Sequence, residues 1–368
     1  MKVLLLSDIN SSHTQKWVRG LRSRGYDLFL FSLNPIDPSL LDFYSSVDFW
    51  APVNKFSDPR ASGISKSRYL FSLRALRKYV KKVSPHLVHA HYATSYGLLG
   101  ALTASSPFIV STWGSDILDF PLRSSFNRRV LKFILAKSDA VTAASQYLRH
   151  QTMLYTTKPV EVIPFGIEGT FADSPPAISP FQKGEIIVGV VKTMSETYGV
   201  DIAIRAFHKI VSEHADLPVK LLVVGGGPKL DVYRNLASEL GIARQVHFTG
   251  AVPYSEVAKY HGLIDIFVNL SRYESFGVSV LESFMYGNPA IVSDVGGLPE
   301  LVTDGENGFV VPSEDADSAA SAMLKLITGV ELRSQMGKKA KQEVMKYYLF
   351  ENNLDKMGDL YTKVAGND

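Results

Sequence analysis

The chain has 368 residues, 46% hydrophobic and 20% charged, which suits globular domains and is too long for one compact core. Its formal charge of +3 hides an asymmetry: residues 1–166 carry 21 Lys+Arg against 10 Asp+Glu, and the remainder 18 against 26. The absence of cysteine excludes a disulfide framework, a thiolate metal site and a cysteine nucleophile.

The apolar run within Met1–Asp8 is too short for a secretory leader and reads as a first strand, Val3–Leu6. The following loop, Asp8–Thr14, offers Asn10 and His13 as hydrogen-bonding groups, with Ser11 or Ser12 equally suited to cap a helix. After a second strand at Leu28–Phe31, residues 66–82 set Leu70, Leu73, Leu76 and Val80 at helical spacing among seven cations. From Val83 to Ser115 no charged residue occurs, but Pro85, Pro107 and many Ser and Thr divide the run into strand, helix and strand, so no spanning helix is expected. Strands at Leu87–Ala90 and Phe108–Ser111 end in His89-Ala90-His91-Tyr92 and in Ser111-Thr112-Trp113-Gly114-Ser115-Asp116. Two histidines at i, i+2 share a strand face, yet no third ligand is near, which argues against a metal. A second basic segment follows, with Phe126, Val130, Phe133 and Ile134 among Arg123, Arg128, Arg129 and Lys132, and then a strand at Ala140–Ala143.

Proline and glycine gather between Gly166 and Pro180, marking a linker. The expected division is 1–168 and 181–350 as two domains, 169–180 as linker, and 351–368 as a C-terminal helix. The second half repeats the alternation of strand and helix: Ile186–Val191 followed by Lys192, then Leu221–Val224 followed by Gly225-Gly226-Gly227-Pro228. Val246–Thr249, Ile266–Asn269 and Ala290–Val292 come next. The triplet fails as a dinucleotide fingerprint because no third spaced glycine appears at Leu230, and reads as a tight strand-to-helix turn. Short strands alternating with helices imply an α/β fold of parallel sheets covered on both faces.

The most informative stretch is Glu274–Glu282. Eight residues at ~3.6 per turn place two carboxylates on roughly one side of a helical run. Between them, Phe276, Gly277 and Val278 offer backbone N–H groups at a helix start, where a phosphate is favoured. Carboxylates for hydroxyls beside a phosphate-binding helix end suit a nucleotide sugar.

With these motifs in order, Leu221–Pro312 resembles the donor half of the retaining glycosyltransferases of family 4, and the likeness extends more loosely over nearly the whole chain. The resemblance implies a GT-B fold, two Rossmann-like domains facing across a cleft, with the C-terminal helix crossing back to the first. It implies that Glu282 receives the ribose hydroxyls, Glu274 the donor sugar, and the amides of Phe276, Gly277 and Val278 the diphosphate. Gly225 and Gly226 would lie beneath the donor, and Lys192 would balance phosphate charge. The family's second cation is missing, since Thr197 and Tyr198 occupy its place. His91 would touch the reacting sugar. Trp113 replaces a usual histidine, and Asn10, His13 and Asp116 fall on the acceptor side.

The implied chemistry is transfer with retention of configuration, needing neither a general base nor a metal or other cofactor, from a UDP- or GDP-sugar as co-substrate. The expected acceptor is a glycan or lipid-linked saccharide of surface polysaccharide assembly. Expected surroundings are the cytoplasm, with the basic half in peripheral contact with an anionic membrane and no nucleic acid partner. Two rival readings are a nucleotide-sugar epimerase on the same fold and a non-catalytic nucleotide-sugar-binding subunit.

Overall fold

The computed structural model describes residues 1–53, 72–103 and 107–366. The chain forms two compact units: Met1–Phe165 with Glu351–Asp368, and Gly166–Phe350.

The first unit holds a seven-stranded sheet of β1 (Lys2–Leu6), β2 (Asp27–Phe31), β3 (Asp48–Trp50), β4 (Leu87–His91), β5 (Phe108–Thr112), β6 (Ala140–Ala143) and β7 (Val160–Val162). All pairings are parallel and the order is β3-β2-β1-β4-β5-β6-β7. Covered on both faces, such strands read as continuous apolar runs, and Val3, Leu4, Leu5 and Leu6 are wholly buried. The last helix, Phe350–Ala365, supplies this unit with Leu354, Met357, Leu360 and Tyr361, each at most 3% exposed.

The second unit holds β8 (Ile186–Val191), β9 (Val219–Val224), β10 (Val246–Gly250), β11 (Ile266–Asn269), β12 (Ala290–Ser293) and β13 (Gly308–Val311). These too are parallel, in the order β10-β9-β8-β11-β12-β13. Its core joins the strands to the Val200–Glu213 and Ala316–Thr328 helices through Phe207, Ile210, Met323 and Leu326. Residues 169–180, expected as a linker, belong to this unit, where the Ala177 N–H donates to the Lys259 carbonyl at 2.9 Å.

Each sheet runs outward in both directions from its first strand. The order therefore reverses between β1 and β4, and again between β8 and β11. Ligands of open α/β sheets bind beyond the carboxyl ends of the strands at such a reversal.

Candidate active site

In the second unit, Lys192 follows directly on β8 and Glu274 lies five residues past β11, so both stand at the reversal. The Lys192 Nζ lies 2.5 Å from Glu274 Oε2, with the side chains 10% and 13% exposed. The same ammonium sits 4.9 Å from the centre of the Tyr198 ring. At the place of the absent second cation, Tyr198 thus offers a π-face to the first and adds no charge. Arg272, which sequence reasoning passed over, is no substitute. It grips Asp201 through two bonds of 2.9 and 2.8 Å and also pairs with Glu314. Burial pushes the Asp201 carboxyl up, but the Arg272 bonds and charge outweigh it and hold the group below its ordinary value.

The backbone around Glu274 is clamped from below. Gly297 N–H donates to the Glu274 carbonyl at 3.2 Å, and Gly296 has φ +58°. A Cβ on Gly296 would stand 1.7 Å from the Glu274 carbonyl oxygen, so only glycine permits this approach. Three residues on, Gly277 at φ +107° caps the Val278–Met285 helix, where a Cβ would press on Leu298 at 2.8 Å. The Phe276 side chain is 2% exposed, so its offering to a ligand is its backbone amide. The first N–H groups of this helix lack intrahelical acceptors and favour an anion.

Glu282, on the same helix, is 4% exposed. Its Oε1 accepts from the Tyr254 hydroxyl at 3.2 Å, and its Oε2 lies 3.3 Å from Nε2 of the wholly buried His261. Both partners come from the Tyr254–His261 helix after β10. No sequence signal marks them beyond their place behind that strand.

The glycine triplet is accounted for by packing. Met194 N–H donates to the Gly226 carbonyl at 2.9 Å and Lys229 N–H to the Met194 carbonyl at 2.9 Å. A Cβ on Gly225 would stand 2.0 Å from the Lys192 carbonyl oxygen, and one on Gly227 2.6 Å from that of Met194. The turn is a ledge for the loop that carries Lys192.

In the first unit, His91 ends β4 at the other reversal and is 1% exposed. Its Nδ1 lies 3.0 Å from Ser7 Oγ, which lies 2.6 Å from Thr14 Oγ1. Among the described residues its Nε2 has no hydrogen-bond partner, and the ring faces Trp113 at 4.7 Å. Burial, helped by His89 and His13, holds His91 well below the ordinary histidine value, so the ring is neutral. His89 lies between Tyr361 Oη at 2.6 Å and Ser111 Oγ at 2.7 Å, and burial pushes it down to about 3.

Asp116, expected toward an acceptor, is wholly buried. Its carboxylate accepts from the N–H groups of Ala93 at 2.7 Å, Gly114 at 2.8 Å and Trp113 at 3.2 Å. It braces the turns after β4 and β5, and any effect on an acceptor runs through them. Asn10 likewise ties down a loop, donating to the Pro35 carbonyl and accepting from Asp37 N–H, both at 2.8 Å. His13 stacks on Phe165 at 4.2 Å and meets Trp113 edge-on at 5.9 Å. Tyr92, next to His91, holds φ +82° and pairs its hydroxyl with Ser115; no spacing signal in the sequence marked it.

Two doubly wound units with polar residues at each reversal define a GT-B type α/β protein. The family model for glycosyl transferases group 1 matches residues 173–343, and that for glycosyl transferase 4-like proteins matches residues 2–145. The chain belongs to the group 1 glycosyltransferases, family 4.

Among its relatives, N-acetyl-alpha-D-glucosaminyl L-malate synthase of Bacillus anthracis is 27% identical over 77% of this chain and 76% of that one. A GDP-mannose-dependent phosphatidylinositol monomannoside mannosyltransferase of Mycolicibacterium smegmatis is 29% identical over 57% of this chain, the match spanning 58% of its own length. Of solved structures, the sucrose-phosphate synthase of Thermosynechococcus elongatus superposes with TM-score 0.84 at 20% identity, covering all of both chains. Anabaena HepE in complex with UDP and glucose does so with TM-score 0.79 at 17% identity, covering 99% of this chain and 100% of HepE. Among the described residues no group of three or more His, Asp or Glu is placed to hold a metal ion, and no helix is long and apolar enough to cross a membrane.

Proposed function

We propose that this protein transfers a sugar from a nucleoside diphosphate sugar to a hydroxyl acceptor, with retention at the anomeric carbon and without a metal. The observation that carries the reading is the Lys192–Glu274 pair at the reversal of the second sheet, a few residues before the glycine-capped start of the Val278–Met285 helix. The relative named for GDP-mannose and the structural neighbour bound to UDP support a UDP- or GDP-linked donor.

In this reading Lys192 exchanges Glu274 for a phosphate oxygen when donor binds, which frees the carboxylate for hydroxyls of the transferred sugar. The amides of Phe276, Gly277 and Val278 take the remaining diphosphate charge, and Gly225 and Gly226 hold the Lys192 loop under it. Glu282, steadied by Tyr254 and His261, receives the ribose hydroxyls. His91 presents a neutral imidazole to a sugar hydroxyl. Asn10 and His13 serve the acceptor side, and Asp116 shapes the Trp113 turn there.

The bond from the anomeric carbon to the phosphate oxygen breaks first. The acceptor oxygen then bonds to the same face of that carbon and passes its proton to the departing phosphate. Catalysis is positioning together with stabilisation of leaving-group charge. The acceptor is a glycan or lipid-linked saccharide, met at the cytoplasmic face of a membrane.

Incubation with UDP- and GDP-sugars, with and without chelator, tests this. Release of the nucleoside diphosphate that survives chelation, with α-linked product from an α-linked donor, is the expected result. One observation favours a second reading: with Tyr198 where a second cation would stand, a donor-binding subunit would bind nucleotide tightly and release none.

A further inference from the structure

The Ser125–Lys137 helix is apolar on two faces. Its inner face, Leu131, Ile134 and Leu135, is wholly buried, with Ile134 Cγ2 only 3.1 Å from where a Cβ on Gly97 would stand. Its outer side carries a second row: Phe126 is 72% exposed and Phe133 39%, with half-buried Val130 between them, and Leu122, in the turn that precedes the helix, is 68% exposed. Spacings of four and three residues align Phe126, Val130 and Phe133 on one side of the helix, while Leu122 ends the short Phe120–Leu122 turn before it, beyond the extended cap Ser124.

The charges around this row have one sign. Arg129 and Lys137 border it, Arg123 precedes it, Arg128 and Lys132 lie further round the same helix, and no Asp or Glu occurs from residue 120 to 138. Asp119, just before, is paired with Arg123. The Leu73–Val83 helix shows what an ordinary basic helix of this unit looks like. There Leu76, Tyr79, Val80 and Val83 turn inward, and Arg74, Arg77, Lys78, Lys81 and Lys82 are exposed. That part of the first basic segment needs no partner; its beginning, residues 66–71, lies outside the described residues.

We propose that the Leu122–Phe133 face docks on an anionic phospholipid bilayer. Phe126, Phe133 and Leu122 enter the boundary between headgroups and acyl chains, and the flanking cations meet the lipid phosphates. Such a surface offers apolar matter and negative charge together in one layer. A second copy of this face would instead set cations against cations, so self-association is disfavoured. Contact at this face would bring the first unit to a lipid-linked acceptor, a consequence that rests on the proposed transfer reaction, whereas the docking itself does not.

Flotation of the full chain with phosphatidylcholine vesicles, with or without phosphatidylglycerol, tests the proposal. The wild type should float with the anionic vesicles only and be released by salt. Phe126→Ser with Phe133→Ser, and separately Arg129→Glu with Lys137→Glu, should each cut the bound fraction by about tenfold or more. Both double variants should keep the wild-type melting temperature and UDP affinity. Equal partition onto neutral and anionic vesicles, or indifference to both pairs of substitutions, would overturn it. So would sedimentation showing a dimer that Phe126→Ser dissolves, since the face would then join two copies. Failure of the donor reading would appear separately, as a wild type that binds no nucleotide.

Discussion

Lys192 and Glu274 meet at 2.5 Å where the second sheet reverses its strand order, each side chain close to nine-tenths buried. Attraction is strong at such a depth, and so is the penalty for leaving either charge alone. Lys192→Ala and Glu274→Ala should therefore each destabilise the protein, while the double variant loses less than their sum. A coupling of about 1.5 kcal/mol in a urea double-mutant cycle is the expected size. In turnover, Lys192→Ala should lower nucleotide release by about a hundredfold, in line with removal of one charge-stabilising donor. Wild-type turnover in that variant would take Lys192 out of the leaving-group site.

Glu282→Ala should weaken UDP binding by about tenfold or more, a loss of ~1.4 kcal/mol. Calorimetry of UDP against the free base separates ribose contacts from base contacts, and the loss should appear with the nucleotide alone. Tyr254→Phe removes one hydroxyl from the same carboxylate and should give a smaller effect in the same direction. An unchanged affinity for UDP in Glu282→Ala would exclude the ribose role.

Two glycines with similar dihedrals should behave very differently. Gly296 at φ +58° has the Glu274 carbonyl where a Cβ would go, whereas Gly305 at φ +78° has nothing within 4 Å. Gly305→Ala should cost about 1 kcal/mol, the left-handed backbone penalty by itself. Gly296→Ala must displace the 274–277 backbone as well, so it should cost more in thermal unfolding and also depress UDP affinity. Equal effects of the two would show that the approach of Gly296 to Glu274 is not needed for the site.

The buried histidines make the first unit sensitive to acid. His89 is pushed down to about 3 by burial and His91 well below the ordinary value, whereas both return to about 6.5 when unfolded. The unfolded chain therefore binds more protons between pH ~6.5 and ~3, and stability present above ~6.5 is lost as pH falls through that window. Each histidine contributes a slope of about 1.4 kcal/mol per pH unit. Asp116, pushed up by burial, acts oppositely, losing stability as pH rises above the ordinary carboxylate range. Urea midpoints across this window should fall with pH in the wild type and less steeply in His89→Gln.

The ten strands expected from apolar runs all appear: nine are interior strands, and a strand buried on both faces is written as a short block of Val, Leu, Ile and Phe, while β10 is a partly exposed edge strand. The three missed, β3, β7 and β13, are edge strands of three or four residues with a neighbour on one side only. Asp48, Glu161 and the Gly308 start of β13 give such edges little apolar signature.

At the site, the local features were readable: an acid pair flanking a helix start, and a cation at a strand end. Contacts between distant residues were not. Nothing near Glu282 in the sequence points to His261, and nothing near His91 points to Trp113, although the ring centres lie 4.7 Å apart. Asp116 shows the limit most plainly, since a carboxylate four residues beyond β5 looks available until the backbone amides it holds are seen. The two basic segments read alike, and only burial separates the solvated helix from the one with exposed phenylalanines.

The pairing of His89 with Tyr361 has a consequence for how the protein is made. The first unit is begun at the N-terminus but finished by Leu354, Met357, Leu360 and Tyr361, after all of Gly166–Phe350 has been synthesised. At ~5–20 residues per second that delay is roughly ten to forty seconds. Meanwhile β4 waits beside an open face with a polar histidine at its centre. The second unit, continuous in the chain, is complete before the first can close, which inverts the usual order of folding on the ribosome.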